Sequence, residues 1–132
     1  MLLAHRGAHD ATLRENSLAA LVAGAAQCDG VEFDVRFSAD GEAVIVHDET
    51  LDRLFGVPRR VRELSATELA DLGVPTLAEA LAAMPAATLI DLELKEQPTD
   101  DLFATLVAAR GPEAEAVVLS SLKSARLTGR AG

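Results

Sequence analysis

The sequence predicts an α/β protein whose sheet is mostly parallel. Three observations predict it. Short apolar runs alternate along the chain with segments of helical spacing. Glycine and helix-capping residues punctuate the junctions between them. Two of the apolar runs carry charge on one face only, a pattern that needs a covered sheet to become informative.

Leu2 to Ala4 reads as a strand ending at His5-Arg6-Gly7, where the glycine marks a turn. Asn16 or Ser17 caps a helix that runs through Leu18, Leu21, Val22 and Ala25. Val31 to Phe37 alternates strictly and reads as a strand. Asp40-Gly41 is a hairpin-type turn, followed by a strand from Ala43 to Val46 that ends at His47-Asp48. Residues 49–64 read as loop, with Gly56, Pro58 and a basic cluster of Arg59, Arg60 and Arg62. Ser65-x-x-Glu68 and Thr76-x-x-Glu79 have the form of capping boxes, each opening a short helix, and Pro85 stops the second. Thr88 to Lys95 is a strand, Asp100 to Arg110 a helix ended by Gly111-Pro112, and Val117 to Ser120 a last short strand. Five strands are expected in all. A complete eight-stranded barrel takes about 250 residues.

The 132 residues are 49% hydrophobic, 25% charged and 3% aromatic, which suits one globular domain, 1–132, and is too little for two. The net charge of −9 argues against nucleic acid and anionic membrane as partners. An anionic substrate would need a bound cation and a few placed basic residues to reverse the field locally. Cys28 is the single cysteine, so an intrachain disulfide is excluded; it reads as a small buried hydrophobe at a helix end. The start, MLLAHRG, has no basic leader and no run approaches a membrane span, so a soluble cytoplasmic protein is expected.

Candidate chemistry lies on the charged strand faces. Val31, Phe33, Val35 and Phe37 share one face of their strand, and Glu32, Asp34 and Arg36 the other. Ile90, Leu92 and Leu94 likewise oppose Leu89, Asp91, Glu93 and Lys95. In an open antiparallel sheet these charges would simply be solvated. In a covered sheet they point into a barrel or cleft, where converging carboxylates repel and resist desolvation. A divalent cation resolves that, and oxygen ligands suit Mg²⁺ or Ca²⁺. The second charged strand favours the metal reading over the solvated one. His5 and His47 each follow a strand, which at a barrel mouth suits acid and base roles. His9 reads as a surface residue. Arg6 and Lys95 are candidate phosphate contacts, or ion pairs with neighbouring carboxylates, or both.

These segments resemble the glycerophosphodiester phosphodiesterase family. The resemblance rests on His5-Arg6-Gly7, Glu15-Asn16-Ser17, Glu32-Phe33-Asp34-Val35, Val46-His47-Asp48 with Thr50-Leu51-Asp52-Arg53, Val74-Pro75-Thr76-Leu77 and Leu92-Glu93-Leu94-Lys95, six motifs in register from about residue 2 to residue 121. It implies a TIM (β/α)8 barrel, of which only the first five strands are expected here. It implies hydrolysis of a glycerophosphodiester to glycerol 3-phosphate and an alcohol. It implies His5 and His47 as catalytic residues, Glu32, Asp34 and Glu93 as metal ligands, and Arg6 and Lys95 as phosphate contacts. Glu15 and Asn16 would support the first loop. Residues 121–132 depart from the family pattern and read as an atypical tail. A partial barrel leaves two sheet edges, so a homodimer or larger homo-oligomer is expected. Two other readings stand beside this one: a lysophospholipase D or sphingomyelinase D-like phosphodiesterase, and a truncated non-catalytic module that binds metal or phosphate or serves association.

Overall fold

The structure, a computed structural model, describes residues 2–85, 87–96 and 117–121, the last of these by its backbone alone. The helix expected over Asp100–Arg110 and most of the expected tail lie outside the described residues.

One sheet organises the molecule. Its parallel strands are β1 (Leu3–His5), β2 (Gly30–Phe37), β6 (Leu89–Leu94) and β7 (Val117–Ser121), in the order β1-β2-β6-β7. Helix α1 (Leu18–Gln27) connects β1 to β2, and Ser17 caps it by accepting the Ala20 N–H at 3.2 Å. The register sets His5 beside Glu32, Glu32 beside Asp91, and Asp34 beside Glu93.

The hairpin-type turn expected at Asp40-Gly41 is present, but the strand that follows it is not the parallel barrel strand expected. Strand β3 (Ala43–Ile45) pairs antiparallel with β2, Val35 opposite Ile45 and Phe37 opposite Ala43. The connection through Asp40-Gly41, with Gly41 at φ 81°, is too short for a parallel crossover and folds back as a hairpin. Four parallel strands and one hairpin arm therefore replace the expected run of five barrel strands.

Residues 49–64 are also more ordered than a loop. They form β4 (Thr50–Leu51), α2 (Asp52–Phe55), β5 (Val57–Arg60) and a 3₁₀ turn (Val61–Glu63), with β4 and β5 paired antiparallel. Helix α3 (Ala66–Leu72) and helix α4 (Leu77–Ala83) follow, and both predicted capping boxes are made: Ser65 with Glu68, and Thr76 with Glu79.

Two apolar clusters result. The larger joins Val31, Phe33, Val35, Ile90, Leu92 and Leu94 of the sheet to Leu21 of α1 and to Leu77 and Leu81 of α4. Each such side chain, fully buried, contributes about 1.5–3 kcal/mol. The smaller gathers Val44, Val46, Leu51, Val61, Leu64 and Leu69 beneath the 49–64 excursion. The apolar faces of β2 and β6 thus pack on helices, and their charged faces are left for the other side. Cys28 is half-buried against the larger cluster, His9 is exposed, and Arg59, Arg60 and Arg62 are exposed. No helix among the described residues is long and apolar enough to cross a membrane.

Candidate active site

The charged side of the sheet is not a solvated face. Glu32 is 8% exposed and Asp34 1%. Each of Glu32, Asp34 and Glu93 offers a carboxylate oxygen, and the three lie within 4.8 Å of one another. The cause is register: Asp34 stands beside Glu93 on the neighbouring strand, and Glu32 lies two residues back on the same face. Burial first, and then the Asp34 charge, push the Glu32 carboxyl up to about 8. Burial also pushes Glu93 upward, but hydrogen bonds from Lys95 and from protonated Glu32 outweigh it, and its carboxyl lies below the usual range. Three carboxylates this close repel one another, and a bound divalent cation would relieve that repulsion. Their hard oxygen donors fit a divalent ion such as Mg²⁺ or Ca²⁺.

Basic groups flank the cluster. Lys95 Nζ lies 3.1 Å from Glu93 Oε1 and 3.9 Å from Asp34 Oδ1, with its side chain 10% exposed. Arg6 Nε lies 3.4 Å from Asp34 Oδ2, and its Nη1 donates to Glu15 Oε2 at 3.1 Å. Arg6 Nε is buried and makes no hydrogen bond, as is Asn16 Oδ1.

The first loop is held by its backbone. Arg6 and Asn16 both take left-handed conformations, at φ 55° and 57°. That is common for asparagine and unusual for arginine. Arg6 N–H donates to Glu32 O at 2.7 Å and to Glu32 Oε1 at 3.2 Å, while Asn16 N–H donates to Arg6 O at 2.9 Å. Gly7 follows at φ 78°, where an added Cβ would stand 2.6 Å from the Ala20 carbonyl. Asn16 Nδ2 donates to Asp34 Oδ2 at 3.0 Å, so both of the residues expected to support this loop make contact with the site.

The two histidines differ. His5 sits on the edge of the cluster, its Nε2 3.6 Å from Glu32 Oε1 and its side chain 66% exposed. His47 does not stand at the tip of a parallel strand, because β3 runs back toward the cluster. Its Nδ1 lies 2.8 Å from Asp48 Oδ1, and its carbonyl accepts from Arg36 Nε at 2.9 Å. Arg36 in turn donates to Glu96 Oε2 at 3.1 Å. Sequence reasoning does not single out Arg36, Asp48 or Arg53 for the site. Arg36 is the third charge on the Glu32/Asp34 face, and Asp48 and Arg53 belong to the His47 motif, but their contacts arise only in the fold.

Comparison with known proteins identifies the family. Residues 5–126 match the Glycerophosphoryl diester phosphodiesterase family. The glycerophosphodiester phosphodiesterase 1 of Bos taurus is 37% identical over 97 residues, 61% of this chain and 29% of its own. The glycerophosphodiester phosphodiesterase of Thermotoga maritima superposes with a TM-score of 0.76 at 35% identity, over 90% of this chain and 52% of that one. A phosphodiesterase of Oleispira antarctica, solved in complex with the product sn-glycerol-3-phosphate, superposes with a TM-score of 0.66 at 27% identity, over 90% of this chain and 56% of that one. The chain thus spans about half the length of these solved relatives and under a third of the curated one.

Proposed function

Because the chain belongs to the glycerophosphoryl diester phosphodiesterase family, we propose that it hydrolyses glycerophosphodiesters to glycerol 3-phosphate and an alcohol. The observation that carries this reading is the convergence of Glu32, Asp34 and Glu93 with Arg6 and Lys95 beside them, His5 at the edge, and His47 close enough for its charge to act on Glu93. The relative solved with sn-glycerol-3-phosphate supports the substrate class.

In this reading Glu32, Asp34 and Glu93 hold one Mg²⁺ or Ca²⁺. When bound, that cation offsets the negative charge that grows on the phosphoryl oxygens. Arg6 and Lys95 bind the phosphate and share that task. One histidine of the pair His5 and His47 takes the proton of the nucleophile, either the glycerol 2-hydroxyl or water. The bond from phosphorus to the leaving alcohol breaks, and the other histidine gives the alkoxide its proton. If the glycerol hydroxyl attacks, the product is a cyclic phosphate that water then opens. Glu15 and Asn16 hold Arg6 and Asp34 in place.

The test is incubation with glycerophosphocholine, with and without Mg²⁺ or Ca²⁺, and assay of glycerol 3-phosphate beside H5A and H47A. Metal-dependent release lost in both variants is expected. Release that needs no metal, or that survives both substitutions, would overturn the reading. Self-association is also part of the proposal: among the described residues β1 pairs only with β2 and β7 only with β6. Sedimentation should report a dimer or larger, and a monomer would remove that part alone.

A further inference from the structure

We infer that Arg53 is a positioning residue that ties the His5/Arg6 loop to the His47 loop and holds the His47 ring in one orientation. The inference rests on the catalytic reading of His47. Arg53 uses three nitrogens on two carboxylates. Its Nη1 and Nη2 donate to Glu15 Oε1 and Oε2 at 3.0 and 2.9 Å. Its Nε and Nη2 donate to Asp48 Oδ2 and Oδ1 at 2.8 and 3.1 Å. Glu15 reaches on to Arg6, and Asp48 to the His47 ring. A continuous chain of charged hydrogen bonds therefore runs from Arg6 to His47 through one guanidinium.

The fork is what makes arginine necessary. Its planar donors meet each carboxylate in two-point fashion, and a lysine ammonium offers a single nitrogen that cannot span both. The side chain is half-exposed, which is unremarkable for a surface pair and would give it little worth as stability alone. Its partners differ, since Glu15 is 9% exposed and Asp48 22%. A second arginine stands at the same junction without joining the hydrogen-bonded chain. Arg14, next to Glu15, stacks its guanidinium 4.3 Å from the ring centroid of Phe55, on the helix that carries Arg53.

The consequence falls on His47. An ionised Asp48 accepts Nδ1–H and leaves Nε2 as the nitrogen that exchanges a proton with substrate. Arg53 holds that carboxylate from behind, and Arg36 holds the His47 carbonyl. Without Arg53, Asp48 is free to turn away and the ring loses its fixed tautomer.

The experiment uses ¹⁵N-labelled protein at alkaline pH, where the imidazoles are neutral, with the His47 signals assigned through H47Q. Wild type should show His47 as the Nδ1–H tautomer, and R14A should keep it. R53A should lose it, and its kcat on glycerophosphocholine should fall about 10- to 100-fold with KM changed far less. R53K keeps the charge and the stem and should restore neither. It decides the matter by itself if R53A fails to fold. An unchanged tautomer in R53A, an unchanged kcat in an active enzyme, or full recovery in R53K would each overturn the inference. If wild type shows no turnover, the catalytic reading fails, and the tautomer measurement still tests the clamp.

Discussion

Asn16 donates its side-chain amide to Asp34 at 3.0 Å, and the two are 2% and 1% exposed. One residue comes from the loop before α1 and the other from the middle of β2. The bond aims a carboxylate that has no room to turn, and it does so from a backbone held in the left-handed region. A residue whose task is to orient a ligand should be visible in metal affinity. Asn16→Ala is expected to weaken Mg²⁺ or Ca²⁺ binding about 10- to 100-fold. It should also cost about 1–3 kcal/mol of stability from the buried carboxylate left without its donor. Calorimetric titration and urea unfolding measure the two effects; unaltered affinity would show that Asp34 needs no such partner.

The carboxylate cluster predicts a pH dependence of opposite sign with and without cation. The Glu32 carboxyl is raised to about 8 from an ordinary 4.5. A raised group stabilises the fold fully below its unfolded value and loses that contribution as pH climbs through the folded one. The protein without cation should therefore become less stable between about pH 4.5 and 8. A cation needs Glu32 ionised, so its affinity should rise over the same window and binding at neutral pH should release about one proton. Calorimetry in two buffers of different ionisation enthalpy counts that proton. Binding that is indifferent to pH would remove Glu32 from the ligand set.

Lys95 is expected to act as an internal counter-charge as well as a phosphate contact. It is 10% exposed and reaches both Glu93 and Asp34. Lys95→Met should destabilise the metal-free protein by about 1–3 kcal/mol, because two carboxylates lose their neighbouring cation. Added Mg²⁺ or Ca²⁺ should recover most of that loss while turnover stays impaired. A melt series with and without the ion makes the comparison, and a loss that the ion does not recover would count against the shared site.

Gly7 permits both the positive φ and the close approach of the first loop to α1. Gly7→Ala is expected to cost roughly 2–4 kcal/mol, since the new Cβ would meet the Ala20 carbonyl at 2.6 Å in a conformation that L residues avoid. Urea unfolding gives the value. A change within a few tenths would mean that α1 shifts freely and the loop is not anchored there.

The local signals in the chain carried over where they depend on neighbours in sequence. The two capping boxes at Ser65 and Thr76 and the Ser17 cap rest on contacts within a few residues, and the structure has them; the β2 and β6 strands are legible from their alternation, although their pairing is long-range. The excursion over residues 49–64 did not announce itself. Leu51, Phe55, Val57 and Val61 mix the i, i+4 spacing of a helix with the i, i+2 spacing of a strand, so neither pattern is sustained, and they share a core with Val44, Leu69 and Val74 from elsewhere.

The alternation of strands and helices and the charged faces that carry Glu32, Asp34, Asp91 and Glu93 are legible in the chain itself, because side-chain direction in a strand follows from a period of two; the choice of Glu32, Asp34 and Glu93 as a set comes from the family resemblance. The hold of Asp48 and Arg36 on His47, and the single guanidinium at Arg53 that joins two loops, come from the tertiary arrangement alone; the reversal of β3 is signalled by the Asp40-Gly41 turn, but its register on β2 is not. Strand direction depends on how long a connection must reach. A salt link between residues 38 positions apart depends on where two loops end in space, and nothing in the spacing of either loop encodes that distance.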